Sequence, residues 1–154
     1  MRVIVSFTIR PAVETDQDEI KSMVREARLD PRHLHWSRFL VAEEGGRIVG
    51  IRQVKIHKDG TREVASGVVR PEYRRRGISA KLMRAILAIE PDPLYLMCDQ
   101  KWAHYYEQFG FLRVEPSDLP PDFRKEYRTG RIITSVLSLL ARRDIRLIPM
   151  KRET

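Results

Sequence analysis

The stretch VVRPEYRRRGISAKLMRAILAIE, residues 68–90, decides how the rest of the chain is arranged. Its two leading valines close an apolar run, and the residues up to Tyr73 break that run. Three arginines and Gly77 then lead into a segment whose apolar residues recur at helical spacing. The pattern predicts a strand, a basic turn and an amphipathic helix over residues 80–90.

The basic turn has the composition of an anion site. The first N–H groups of a helix have no partners inside it, so they point outward with partial positive charge and can hold a phosphate. Gly77 lets the backbone approach an anion, and Arg74, Arg75 and Arg76 add positive charge. We therefore predict a pyrophosphate site. An arginine run before a helix is also typical of a solvated surface or a nucleic-acid contact, and the turn alone leaves these alternatives open.

Two motifs at compatible spacing resemble the GCN5-related N-acetyltransferases, the GNAT family. Residues 74–79 read Arg-x-x-Gly-x-Ser and are similar to the family signature (Arg/Gln)-x-x-Gly-x-(Gly/Ala). Residues 103–111, AHYYEQFGF, are similar to the family's later helix-and-turn motif. The resemblance covers most of the chain. Ser79 is a departure, because Gly or Ala is usual at that position.

Length and composition suit a compact protein. The chain has 154 residues with 42% hydrophobic residues, which predicts a single domain over residues 1–154. The resemblance implies that this is an N-acetyltransferase domain. A net charge of +8 favours anionic ligands such as coenzyme A, acidic protein surfaces or nucleic acid. One cysteine excludes an internal disulfide and a multi-cysteine zinc site, and we expect no metal. No signal peptide or membrane span is recognisable, so we expect a cytoplasmic protein with no membrane partner.

The segments around the turn predict a mixed sheet. Residues 94–98 follow a helix, so their strand should lie parallel to the strand of residues 61–69. The expected fold is α/β of the α+β type, GNAT-like, with a twisted and mostly antiparallel sheet flanked by helices. Other predicted strands lie at residues 3–11, 39–42, 48–56, 111–114 and 145–150, and the last of these is expected at an edge of the sheet. One further helix is predicted to begin after Thr15, which would be its N-cap, and two others are predicted at residues 101–108 and 132–141.

The resemblance implies how acetyl-CoA would bind as a cosubstrate. Backbone groups near Val68 and Val69 would hold the pantetheine arm and the acetyl carbonyl. Asp99 stands where the family often has an asparagine that bonds the pantetheine region, although an ionised carboxylate cannot donate a hydrogen bond there. The pyrophosphate would lie at the turn and the start of the helix, on Arg74, Arg75, Arg76, Gly77, Ile78, Ser79 and Ala80.

Acyl transfer also requires an unprotonated amine and a proton for the departing thiolate. Tyr106 matches the family tyrosine near the coenzyme sulfur, and a phenol of pKa about 10 is protonated at neutral pH, so Tyr106 is the predicted general acid. The alternative is that its ring only packs against the coenzyme. Glu63 stands where members of the resembled family often have a glutamate, so the resemblance implies that it is the base, acting directly or through water. The alternative is a surface glutamate paired with Arg52 or Arg62.

Two further parts of the sequence, Gly67 and the segment with His33, His35 and Trp36, each allow two interpretations. Gly67 stands where the resembled family usually has a larger apolar residue, which predicts either extra room beside the acetyl group or a bulge in the strand. His33, His35 and Trp36 lie where the family borders its acceptor site, so they are candidates for substrate contact, or else two exposed histidines and a packing tryptophan.

Together these features predict an acetyl-CoA-dependent N-acetyltransferase in which an amine attacks directly in a ternary complex. The acceptor is a small amine, an amino acid or a protein amine. One alternative is an acyl-CoA-binding sensor without turnover. Another is a nucleic-acid-binding protein, but aromatic residues are not interleaved with the arginines in a recognisable pattern, so nucleic acid is not the expected partner. Residues 132–140 hold more apolar residues than one helix face needs, which leaves a homodimer open.

Overall fold

The computed structural model describes residues 6–153, so Val3 and Val5 of the predicted first strand lie outside the described residues. The sheet is mixed and mostly antiparallel, with helices flanking it, as predicted. Its strand order is β1-β2-β3-β4-β5-β7-β6. The strands are β1 (Thr8–Pro11), β2 (Phe39–Glu44), β3 (Arg47–Ile56), β4 (Arg62–Val69), β5 (Leu94–Asp99), β6 (Phe111–Arg113) and β7 (Leu147–Arg152), and the helices are α1 (Gln17–Glu26), α2 (Ile78–Ile89), α3 (Ala103–Glu107) and α4 (Pro121–Ala141).

The described residues form two compact units. The first holds the chain up to Lys55 together with Ala65–Glu90, and the second holds Ile56–Val64 together with the chain from Pro91 onward. The single domain over residues 1–154 stays a prediction. Within residues 6–153, no helix combines the length and the apolar composition needed to cross a bilayer.

In the first unit, α1 and α2 pack on separate clusters of strand residues. Val41 belongs to the cluster around α1, whereas its neighbour Ala42 belongs to the cluster around α2, because successive residues of a strand point to opposite faces. Gly50 permits close contact with α2, since a Cβ at this position would lie 2.7 Å from Ile78 Cγ2. This packing fixes the start of α2, where the basic turn ends.

The start of α1 differs from the prediction. Thr15 is not its cap, because Thr15 lies inside a short 3-10 turn, Glu14–Asp16, that precedes the helix. The Asp16 carboxylate accepts a hydrogen bond from the Val13 N–H at 2.8 Å and pairs with Arg10 at 2.8 Å. Asp16 is the N-cap residue of α1, but its side chain ties the preceding turn together and does not cap the helix.

In the second unit, β5 lies parallel to β4, with Tyr95 level with Glu63, and antiparallel to β7. The prediction of residues 145–150 as an edge strand is wrong, because β7 pairs with β5 on one side and β6 on the other. The helix between β6 and β7 begins at Pro121 rather than residue 132. Its charged first half hides the helical periodicity, although a proline at the first helical position is favourable.

Candidate functional site

The basic turn has the backbone form of an anion site. Arg75 and Gly77 both have left-handed backbones, with φ of 66° and 78°, and Gly77 is the N-cap of α2. The N–H of Lys81 donates to the Gly77 carbonyl at 3.0 Å, so the N–H groups of residues 78–80 precede the first bond within the helix. Apart from Gly77 itself and its two chain neighbours, no residue has an atom within 4 Å of where a Gly77 Cβ would stand. These N–H groups are placed to hold an anion.

The arginines of the turn differ in their contacts. Arg76 pairs with Glu44 at 3.6 Å and lies over the Tyr73 ring, 5.0 Å from its centre. Arg74 and Arg75 are exposed, and neither forms an ion pair with another of residues 6–153. Two guanidinium groups of the turn thus remain available to a ligand, while the third is held against the protein.

Arg52 connects two departures from the family pattern that the sequence shows separately. Its side chain, 6% exposed, occupies the space beside Gly67, where an added Cβ would lie 2.5 Å from Arg52 Nη2. The same nitrogen donates to Ser79 Oγ at 3.2 Å, in the first turn of α2. The small residue at 67 and the hydroxyl at 79 therefore both accommodate one buried guanidinium. Sequence reasoning missed this role because it depends on contacts between distant segments.

The two alternatives for Gly67 are now distinguished. The space beside it is filled by Arg52, so it is not extra room. Its neighbour Ser66 has a left-handed backbone, with φ of 56°, inside β4. The amide of the fully buried Gln53 donates to Ser66 Oγ at 2.7 Å and holds this irregular residue. The strand is therefore irregular beside Gly67, and the bulge stays a prediction.

Replacing Gly67 with Ala should destabilise the protein by about 1–3 kcal/mol, because the added methyl group forces the buried Arg52 side chain to move. Urea unfolding of Gly67→Ala, Arg52→Met and the double variant measures the coupling. We expect the double variant to be more stable than the sum of the single effects predicts, by about 1 kcal/mol. Simple additivity of the two losses would show that Arg52 does not occupy this space.

The candidates for acceptor contact lie in the first unit with Val68 and Val69. His33, His35 and Trp36 line a cavity of about 730 Å³ beside the start of α1. Trp36 and Val68 pack against the same apolar cluster, and Val69 packs against the other. His35 accepts a hydrogen bond from a backbone N–H two residues later, so it also shapes the local turn.

Tyr106 lies in the second unit, within a group of aromatic rings. Its ring centre is 5.1 Å from that of Tyr105 and 6.4 Å from that of Phe111. Tyr105 contacts Phe109 and Trp102 in the same way. The half-buried Tyr106 ring is thus held by its neighbours and has a restricted orientation.

Asp99, in the same unit, is engaged locally. Its carboxylate accepts from the Lys101 N–H at 3.4 Å and lies 3.8 Å from the Lys101 ammonium. It thereby caps the short turn that follows β5. Its predicted contact with pantetheine stays a prediction.

Glu63 is buried rather than exposed, so the surface alternative is wrong. It is 4% exposed, and its Oε1 lies 2.9 Å from His57 Nε2. The His57 ring in turn stands against Phe123, with centres 6.0 Å apart. Sequence reasoning missed His57. The available signal was its position six residues before Glu63 across a hairpin turn, where side chains of paired strands meet.

Cys98 is a buried strand residue, as predicted. It is 8% exposed, with Sγ 3.8 Å from Met150 Sδ. Burial, and secondarily the charge of Asp99, raises the pKa of the Cys98 thiol to about 11. No group of three His, Cys, Asp or Glu side chains among the described residues is arranged to hold a metal.

The raised pKa predicts that Cys98 reacts slowly with thiol reagents in the folded protein. At pH 8 only about one thousandth of the thiol is ionised, and the thiolate is the reactive form. We expect modification by a disulfide reagent to be at least ~100-fold slower in the native protein than in urea-unfolded protein. Equal rates in both states would show that Cys98 is accessible.

Comparison with known proteins extends these observations. Residues 35–113, just over half of the chain, match the family model described as "Acetyltransferase (GNAT) domain". A comparison with curated proteins found no match.

Solved structures share the fold. The chain is similar to N-acetylglutamate synthase from Neisseria gonorrhoeae complexed with coenzyme A and N-acetyl-glutamate, with a TM-score of 0.74 and 20% identity over 97% of this chain and 35% of the synthase. It is also similar to Rv2747 from Mycobacterium tuberculosis in complex with CoA and NLQ, with a TM-score of 0.70 and 17% identity over 96% of this chain and 99% of that one. Escherichia coli ElaA gives a TM-score of 0.64 and 16% identity, covering 97% and 100%. The chain thus spans about a third of the length of the synthase.

Proposed function

Because this chain belongs to the family of GNAT acetyltransferases, we propose that it moves an acetyl group from acetyl-CoA to a primary amine by direct attack in a ternary complex. The observation that carries the proposal is the turn before α2, where left-handed Arg75 and Gly77 precede the outward-pointing N–H groups of the helix. The structures of the Neisseria and Mycobacterium relatives contain coenzyme A, which supports this cosubstrate. We also propose that the chain forms a single domain and that the protein is cytoplasmic.

The turn would hold the pyrophosphate of acetyl-CoA through backbone N–H groups and arginine charge. No aspartate or glutamate occurs between Tyr73 and Ile89, so no acidic side chain of this segment opposes an anion. The backbone of Val68 and Val69 would hold the pantetheine arm and the acetyl carbonyl, with Asp99 beside the arm. The pyrophosphate residues are Arg74, Arg75, Arg76, Gly77, Ile78, Ser79 and Ala80.

At the thioester carbon the reaction forms one bond and breaks one, and two protons move. The amine nitrogen attacks the thioester carbon, the C–N bond forms, the C–S bond breaks, and the electron pair leaves on sulfur. Tyr106 would donate its hydroxyl proton to the thiolate. The amine loses one proton, and we assign its removal to Glu63. Because Glu63 is buried against His57, we propose that it acts through His57 rather than on the amine directly.

The acceptor that we propose to test first is an amino acid. The Neisseria synthase was solved with N-acetyl-glutamate, an acetylated amino acid. The cavity of about 730 Å³ beside α1 has the size of a small-molecule site. A small amine and a protein amine are the other acceptors for comparison.

Glu63→Gln should lower kcat by about 10- to 100-fold at neutral pH without changing KM for acetyl-CoA, because it removes the carboxylate that supports proton transfer. His57→Gln should do the same. Since the two residues are proposed to act as one unit, the double variant should be no slower than the slower single variant. Steady-state kinetics on all three tests this, and multiplicative losses would contradict it.

The direct test of the proposed function is thiol release from acetyl-CoA in the presence of the common amino acids, simple amines and short peptides. Release that depends on one acceptor class, with the acetylated product seen by mass spectrometry, supports the transferase. Binding of acetyl-CoA without release from any acceptor favours the sensor. Absence of coenzyme A binding, with nucleic-acid binding that keeps sequence preference at high salt, would favour the nucleic-acid alternative.

A further inference from the structure

The second half of α4 exposes a continuous apolar surface, which we name the outer face. At 100° per residue its members fall within less than half of the helix circumference. Each side chain is between 48% and 83% exposed. The members are Ile132, Ile133, Val136, Leu137, Leu139 and Leu140.

The opposite side of the same helix packs on the protein and is small or polar. A Cβ on Gly130 would lie 2.9 Å from Leu147 Cδ2, so the helix contacts β7 closely there. Thr134 bonds to the Gly130 carbonyl of its own helix at 2.9 Å, and Ser138 Oγ accepts from the Ile145 N–H at 3.3 Å. The usual amphipathic arrangement, with large apolar residues inward, is therefore reversed in this half of α4.

We propose that the outer face pairs with the outer face of a second copy of this chain. A symmetric pair of identical faces is the commonest form of soluble oligomer. If each of the six side chains buries about 100 Å², the pair removes roughly 600 Å² of accessible surface per copy from solvent. The total of roughly 1,200 Å² is the lower bound of a stable interface. An apolar surface of this size is unusual on a monomer unless it binds a partner.

We place the pair antiparallel and centred on Val136, so that Ile132 lies level with Leu140 of the second copy. A parallel pair would place Arg128 and Arg131 each beside its counterpart, and like charges in that position repel. In the antiparallel pair Arg128 instead lies beyond the end of the second copy's α4, which ends at Ala141.

Sedimentation of the intact chain at micromolar concentration tests the proposal. We expect twice the mass of one chain for the wild type and one chain mass for Val136→Glu and Leu140→Glu. Ile89→Glu is the matched control, because Ile89 is 65% exposed on α2, outside this face, and this variant should remain a dimer. Circular dichroism melting of each variant shows that it is folded.

A cysteine at position 136 tests whether the two outer faces meet. Val136 lies at the centre of the proposed pair, so Val136→Cys should form a disulfide-linked dimer on mild oxidation, and the buried Cys98 should not react. A monomeric wild type would overturn the proposal. If that monomer bound vesicles of phosphatidylglycerol through α4, the face would be a membrane surface instead. A dimer unaffected by Val136→Glu and Leu140→Glu would place the interface elsewhere and also overturn it.

Discussion

Gly77→Glu is expected to abolish measurable binding of coenzyme A while leaving the protein folded. The substitution places a carboxylate in the turn where backbone N–H groups and exposed arginines would meet the pyrophosphate. Loss of charge-assisted hydrogen bonds, together with like-charge repulsion, should weaken binding at least ~100-fold, or about 2.7 kcal/mol. Titration calorimetry with acetyl-CoA and free coenzyme A measures this directly.

Gly46→Glu provides a matched control for the backbone. Gly46 has the same φ as Gly77, 78°, and likewise has no residue beyond its chain neighbours within 4 Å of an added Cβ. Each substitution should therefore cost a similar ~1–2 kcal/mol of stability through left-handed strain. Only Gly77→Glu should lose coenzyme A. If both variants bind coenzyme A as the wild type does, the turn before α2 is not the pyrophosphate site.

The elements that the sequence predicts well are those whose signals are local. Residues 68–90 form a strand end, a turn and a helix because the valine run, Pro71, Gly77 and the helical apolar spacing all act within a few residues. The order of the last strands could not be deduced in this way. Whether β7 lies at an edge or between β5 and β6 depends on the path of the chain through the 21-residue helix α4, which connects β6 to β7.

The candidate site shows the same limit at the level of side chains. Gly67 and Ser79 are recognisable as unusual residues, but the reason for both is Arg52, which lies on another strand and reaches Ser79. Similarly, Glu63 is recognisable as a candidate base, whereas its partner His57 is identified only when the hairpin is formed. Residue types and spacing therefore predict which side chains could take part in the chemistry. The packing determines which other residues contact those side chains.

Tyr106→Phe is expected to lower kcat by about 100-fold with little change in KM for acetyl-CoA, because it removes the hydroxyl that we propose as the proton donor for the departing thiolate. Phenylalanine retains the ring that contacts Tyr105 and Phe111. Steady-state kinetics with a responsive acceptor measures the effect. A loss confined to kcat is the pattern of an interaction made in the transition state rather than on binding.

The two roles considered for Tyr106 predict opposite results for this variant. If the ring only packs against the coenzyme, phenylalanine should preserve turnover, since every ring contact remains. If the hydroxyl is the general acid, turnover falls although the fold and coenzyme affinity are retained. Tyr105→Phe is the matched control, because Tyr105 is also half-buried and belongs to the same aromatic group. Equal losses of turnover in both variants would show that the effect comes from the aromatic group as a whole. A loss in Tyr106→Phe alone would identify the Tyr106 hydroxyl as the donor of the proton.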